Sequence, residues 1–250
     1  MTLATTDAQS WIRRFHEAPA QAPRLVCLPH AGGSASYYFP FSAAVSPAVQ
    51  VLAVQYPGRQ DRRNDPGLQS VPELAEAIYG ALKGVPDLGE FALFGHSMGA
   101  VLAFEVASLL EQRLGVRPVR LFVSGRRAPS RVRPERAHLL GDDELVAELT
   151  SLDGTDSRLL ADSEMRALLL PMIRGDYRAI ETYRCRPGAR VTTPITVLTG
   201  DADPRTSAEE ARDWKLHTTA DCTVHEFPGG HFFLNDHQKD IAEIITGTWE

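Results

Sequence analysis

Phe91-Ala92-Leu93-Phe94-Gly95-His96-Ser97-Met98-Gly99-Ala100 is the stretch on which the fold turns. Four apolar residues lead into G-x-S-x-G, and Ala100 to Leu114 then carries apolar residues at helical spacing. A strand ending in so tight a turn and running straight into a helix lifts a serine hydroxyl clear of the sheet, at the N-terminus of the helix, where a nucleophile belongs. Isolated G-x-S-x-G strings also mark ordinary turns, but the flanking strand and helix argue against that here. His96 reads as a packing residue and not as a base, because adjacent residues on so sharp a bend point away from each other.

Outward from this stretch, short apolar runs recur at Leu25 to Leu28, Val49 to Val54, Leu121 to Val123, Ile195 to Leu198 and Val224 to Phe227, mostly bounded by Gly or Pro. They read as buried strands. Helical spacing appears between several of them, at Val71 to Leu82, Ala100 to Leu114, Glu209 to Leu216 and Asp240 to Ile245. Strand alternating with helix predicts an α/β fold, a mostly parallel sheet with helices on both faces. The alternation breaks between Ala128 and Arg190, where helix-like segments at Asp142 to Leu152 and Ser163 to Tyr183 appear, the second interrupted by Pro171 and Gly175. Leu159, Leu160, Leu168, Leu169, Leu170, Met172 and Ile173 give this segment more apolar surface than a linker needs. It reads as an insertion at about 128–190 within a single domain spanning 1–250: a lid over a pocket, or else an ordinary helical subdomain. Tyr37, Tyr38, Phe39 and Phe41 either line that pocket or pack beneath the lid.

Composition sets outer bounds. With 250 residues, 43% hydrophobic and 23% charged, and only 19 glycines and 17 prolines, the chain suits one globular core and not a low-complexity or fibrous protein. No stretch approaches the ~20 apolar residues that cross a bilayer. Met1 to Asp7 lacks a basic segment followed by an apolar run, so a cytoplasmic location is expected. Cys27, Cys185 and Cys222 are odd in number and widely spaced, which speaks against a disulfide framework or a zinc site. A net charge of -6 disfavours nucleic acid and anionic membranes as partners. Phosphate-binding motifs of the G-x-x-x-x-G-K-[ST] and G-x-G-x-x-G types are absent.

A nucleophilic serine needs a base and an acid to orient that base, and in α/β-hydrolases both follow it, acid first. After the run Ile195 to Leu198 comes Thr199-Gly200-Asp201-Ala202-Asp203-Pro204, a strand-end turn with two acidic candidates. Asp203 lies further past the strand end, beside Pro204, and is better placed to reach sideways; Asp201 then forms the turn by accepting backbone hydrogen bonds. Beyond Val224 to Phe227, Pro228-Gly229-Gly230-His231-Phe232-Phe233 puts His231 on a loop, the expected base. His225 lies within a strand, and His16, His138, His217 and His237 lack this setting. Pro29-His30-Ala31-Gly32-Gly33-Ser34-Ala35 follows the first run, and its glycines let backbone amides approach a developing oxyanion. The oxyanion hole is therefore assigned to the amides of Ala31 and Met98.

Six segments together, Leu25-Val26-Cys27-Leu28-Pro29-His30-Ala31-Gly32-Gly33, Tyr56-Pro57-Gly58-Arg59, Gly95-His96-Ser97-Met98-Gly99, Glu181-Thr182-Tyr183, Gly200 to Pro204 and Gly230-His231-Phe232-Phe233, resemble the type II thioesterases, stand-alone editing enzymes of polyketide and nonribosomal peptide assembly. The resemblance spans nearly the whole chain. It implies an α/β-hydrolase fold with a helical lid, a triad at Ser97, Asp203 and His231, and an oxyanion hole at Ala31 and Met98. The spacing from serine to acid to histidine also favours Asp203. It implies as substrates acyl thioesters on the 4′-phosphopantetheine arm of acyl or peptidyl carrier proteins, with no metal or organic cofactor, and a monomer is expected. Two rival readings are an ester or lipid hydrolase with the same triad and a non-catalytic module that docks on a synthase. Carrier proteins are generally acidic, so Arg126, Arg127, Arg131, Arg133 and Arg136, just past the run Leu121 to Val123, are a candidate docking surface, at which charge reversal of Arg131 and Arg133 is expected to weaken turnover of carrier-bound substrates selectively.

Overall fold

The computed structural model describes residues 8–86, 88–152, 160 and 162–249; Leu159 and Met1 to Asp7 lie outside them. Seven strands, β1 (Ile12–Arg13), β2 (Arg24–Leu28), β3 (Gln50–Val54), β4 (Phe91–His96), β5 (Leu121–Ser124), β6 (Ile195–Gly200) and β7 (Cys222–Phe227), form one sheet in the order β1-β3-β2-β4-β5-β6-β7. All neighbours are parallel except the antiparallel edge pair β1–β3. Strands β4, β5 and β6 are buried along their whole length, which is why they read as continuous apolar runs: helices cover both faces. The edge strand β7 leaves most of its residues partly or fully exposed.

Helices α1 (Ala8–Trp11), α2 (Phe39–Val45), α3 (Val71–Lys83) and α4 (Met98–Leu114) lie in the first half of the chain. Among the described residues, α5 (Asp142–Ser151), α6 (Ser163–Thr182), α7 (Ala208–Arg212) and α8 (Gln238–Thr246) follow. On one face α3 and α4 pack with Trp214 against the sheet. On the other, α2 and α8 enclose Tyr38, Phe41, Phe94 and Phe122, with Phe41 stacked on Phe94 at 5.7 Å. Tyr38 and Phe41 thus belong to the core beneath the sheet, whereas Phe39 is 51% exposed. None of the described helices is long and apolar enough to cross a membrane.

Two local expectations are corrected. Helix α6 runs unbroken through Pro171 and Gly175. Pro171 removes a single donor on the exposed side, while Leu170, Ile173 and Tyr177 bury the opposite side in the insertion's own cluster with Leu145 and Leu149; that packing outweighs one lost bond. The segment expected as one helix from Glu209 to Leu216 is instead α7, begun by a Ser207/Glu210 capping box, and a 3-10 turn from Asp213 to His217. The α1–β1 edge, too short to show periodicity, went unread.

The chain order places the site. From β2 it goes outward to β3, then crosses back to β4 on the other side, so a crevice opens where the C-terminal ends of β2 and β4 diverge. The register Leu28↔Gly95 and His96↔Ser124 brings the ends of β2, β4 and β5 level at that crevice.

Candidate active site

Ser97 stands between β4 and α4 with φ 54° and ψ -114°, a conformation that costs an L-residue energy and is held only by its surroundings. Glycines on either side make it possible. A Cβ on Gly95 would lie 2.0 Å from the Gly99 carbonyl oxygen, and one on Gly99 would lie 2.0 Å from that of Leu28. The Ser97 amide donates to the Ser124 carbonyl at 2.8 Å, pinning the turn to β5. The Met98 amide, at the first position of α4, lies at the positive end of the helix dipole.

The loops after β6 and β7 bring Asp203 and His231 to the same point. His231 Nε2 is 3.0 Å from Ser97 Oγ, and His231 Nδ1 is 3.0 Å from both carboxylate oxygens of Asp203. The Asp203 carboxylate is fully buried and also accepts the Arg205 amide at 2.8 Å. Asp201 is exposed and turned elsewhere, accepting the Gly229 amide at 2.9 Å. With Asp203 holding the proton on Nδ1, Nε2 is left free to accept the serine proton, the arrangement of a serine nucleophile with its base and orienting acid. His96 is fully buried with Nδ1 3.0 Å from Ser124 Oγ, and its ring lies 5.1 Å from that of His231. It packs against the His231 ring.

Opposite Ser97, the loop after β2 presents Ala31 to the same cavity. Two residues to which sequence reasoning gave no role hold it. The Gly32 amide donates to Asp176 Oδ2 at 2.7 Å, and Arg59 Nε donates to the Gly33 carbonyl at 2.8 Å. Arg59 and Asp176 form an ion pair, each side chain 4% exposed. The peptide next to Ala31 is therefore fastened to helix α6 of the insertion. Tyr56-Pro57-Gly58-Arg59 was legible as a motif but not as a clamp; the signal for Asp176 is a lone acid among the inward-facing Ile173, Tyr177 and Ile180. Removing one partner of a buried pair strands the other, at about 3–5 kcal/mol. Asp176→Ala is thus expected to lower the melting temperature and, by loosening the Ala31 amide, to reduce kcat more than it raises KM. An unchanged kcat in a folded variant would show that the clamp does not serve the loop.

The cavity at Ser97 and His231 is roofed by Leu149, Leu152, Tyr177 and Ile180, from the helices α5 and α6 and the turn after α5. Its far wall is charged. Burial alone would raise the Glu135 carboxyl, but Arg127, Arg126 and Arg205 outweigh it and bring it down to about 2. Glu135 pairs with Arg127 and Arg205, and Arg205 also with Glu148. Arg131 and Arg133, part of the candidate docking surface, are also engaged within the chain, Arg131 with Asp213 and Glu209 and Arg133 with Glu210. Partners some eighty residues away in sequence make these pairs invisible to a reading of the local arginine run.

His30 is buried, with Nδ1 unpartnered among the described residues, and burial, together with His231 and Arg59, lowers its pKa to about 3. Burial likewise holds His96 well below its ordinary value, with His231 and His30 adding to the effect. In the unfolded chain both titrate near 6.5. Above that pH both states are neutral and the full stability is present; as pH falls through 6.5 only the unfolded chain takes up protons, and stability is lost progressively toward pH 3. From pH 7.5 to 5.5 the denaturation midpoint should drop by an amount equivalent to about 1 kcal/mol per histidine. An unchanged midpoint would contradict neutral burial.

Residues 23–248 match the family model described as a thioesterase domain. The chain is 52% identical to thioesterase PikA5 of Streptomyces venezuelae over 240 residues, covering 96% of this chain and 85% of that protein. Among solved structures it is similar to the type II thioesterase BorB from the borrelidin biosynthetic cluster, with TM-score 0.89, 50% identity and coverage of 96% of this chain and 98% of that one. It is also similar to RedJ with a PEG molecule bound in the active site, with TM-score 0.85 and 37% identity over 93% of this chain and 94% of that one. Elbow, crevice and overall match agree: the chain belongs to the thioesterase family and is a type II thioesterase.

Proposed function

We propose that this thioesterase hydrolyses acyl thioesters on the phosphopantetheine arm of acyl or peptidyl carrier proteins, clearing stalled or mis-primed acyl groups in polyketide or nonribosomal peptide assembly. The observation that carries the reading is the continuous array from Asp203 through His231 to Ser97, open to a cavity with an apolar roof. Ser97 Oγ attacks the thioester carbonyl as its proton passes to His231 Nε2, and the oxyanion is held by the amides of Ala31 and Met98. Collapse breaks the C–S bond, and the proton on His231 leaves with the pantetheine thiol. A water, deprotonated by the same Nε2, then cleaves the acyl-serine ester and regenerates the hydroxyl. On this reading residues 128–190 form the lid of a single domain spanning 1–250, and the clamp of Asp176 on the Gly32 amide links the lid to the oxyanion loop.

A panel of acyl groups from acetyl to decanoyl, each on a carrier protein, on pantetheine and as the p-nitrophenyl ester, tests the proposal. Higher kcat/KM for carrier-bound thioesters supports it. Preference for the free esters would make the chain a small-molecule hydrolase. Absence of labelling by a fluorophosphonate would make it a non-catalytic module.

A further inference from the structure

Of the five arginines that follow β5, Arg127, Arg131 and Arg133 are committed to carboxylates, whereas Arg126 and Arg136 have no ion pair among the described residues, and of these two Arg126 lines the cavities. Its carbonyl accepts the Trp214 indole N–H at 2.7 Å, while its guanidinium has neither hydrogen bond nor ion pair among the described residues. Burial, with Arg127 and Arg205 close by, lowers its pKa to about 10 against the opposing pull of Glu135 and Glu181. It is an under-compensated cation beside the nucleophile's cavity. Arg126, Ile180 and Glu181 line that cavity and also a second one, which touches neither Ser97 nor His231. The second cavity has apolar walls at Val101, Pro129 and Val132. It also holds Arg184, an exposed side chain whose Nη1 donates only to the carbonyls of Glu181 and Tyr183. Arg126 and Arg184, neither paired with a carboxylate among the described residues, therefore both line this second cavity, beside the carboxylate-paired Arg127, Arg131 and Arg133.

We propose that this second cavity is a phosphate subsite, in which Arg126 and Arg184 bind the phosphate of the pantetheine arm while its thioester end reaches Ser97. The inference rests on the carrier-thioester reading above and adds to it the residues that recognise the arm. A carboxylate on the acyl group is the less favoured anion, because Arg184 lines only the second cavity, which touches neither Ser97 nor His231. The apolar walls suit the arm's branched hydrocarbon centre, and a guanidinium fork suits a phosphate oxygen pair.

The test compares acetyl-4′-phosphopantetheine with acetyl-pantetheine, substrates that differ only in the phosphate. The kcat/KM ratio should favour the phosphorylated thioester by about tenfold at low salt and shrink as salt is added. Arg126→Gln and Arg184→Gln should each bring the ratio toward one, Arg126→Lys should restore part of it, and Arg136→Gln, outside both cavities, should leave it as in the parent. A parent ratio near one overturns the subsite, as does a ratio that survives both glutamine variants. So does a loss in Arg126→Gln that follows a carboxylate on the acyl chain irrespective of the phosphate. Calorimetric binding of non-acylated phosphopantetheine against pantetheine reads the subsite without turnover. Lost hydrolysis with retained phosphate preference would thus refute the catalytic reading alone, and equal binding of the two would refute the subsite alone.

Discussion

Ser97→Ala is expected to lower kcat by roughly 10⁴ to 10⁶, because a serine, its base and its acid act as one unit and only the oxyanion amides and substrate binding remain. The change should spare the fold. Among the described residues the serine side chain hydrogen-bonds only His231 Nε2, at 3.0 Å, and the conformation at φ 54° is imposed by the close approaches of Gly95 and Gly99, which alanine leaves intact. Single-turnover hydrolysis of an acyl-pantetheine thioester measures the loss, and mass spectrometry should find an acyl adduct on the parent and none on the variant. A loss below about tenfold, or an adduct that survives, would remove Ser97 from the mechanism.

For Asp203→Asn the expected loss in kcat is on the order of 10⁴, the scale seen when the same change is made in a serine protease. Asparagine keeps the shape but can donate to Nδ1 through its amide, which moves the ring proton to Nε2, where it blocks acceptance from Ser97. The carboxylate is fully buried, and among the described residues its one other hydrogen bond is from the Arg205 amide. Asp201→Asn is the paired control. Its carbonyl oxygen can still accept the Gly229 amide, so kcat should change by less than about threefold. If Asp201→Asn were the crippling change and Asp203→Asn mild, the assignment of the acid would be reversed.

Local chemistry is legible in this chain wherever a function is confined to one strand and the turn after it. The elbow occupies ten consecutive residues, and Asp203, His231 and Ala31 each lie a few residues beyond an apolar run, so strand ends could be read as site positions. Burial on both faces made β4, β5 and β6 stand out as apolar runs, which is why the parallel sheet was readable. Where two propensities conflicted, as at Pro171 and Gly175 in α6, a local rule forecast a break that packing overrode.

Sequence alone therefore determined the class of fold and offered Ser97, His231 and two acids as candidates, because these follow from periodicity and from residue types that few other roles require. Tertiary structure decided what depends on distance in space. It turned Asp203 toward His231 and Asp201 toward Gly229. It set Asp176 of α6 against Arg59, 117 residues earlier, and so tied the insertion to the loop after β2. It neutralised Arg131 and Arg133 with acids from α7 and the turn after it, leaving Arg126 and Arg184 without such partners. The physical reason is the same in each case: a charge is defined by what surrounds it, and those surroundings come from segments that only the folded sheet brings together.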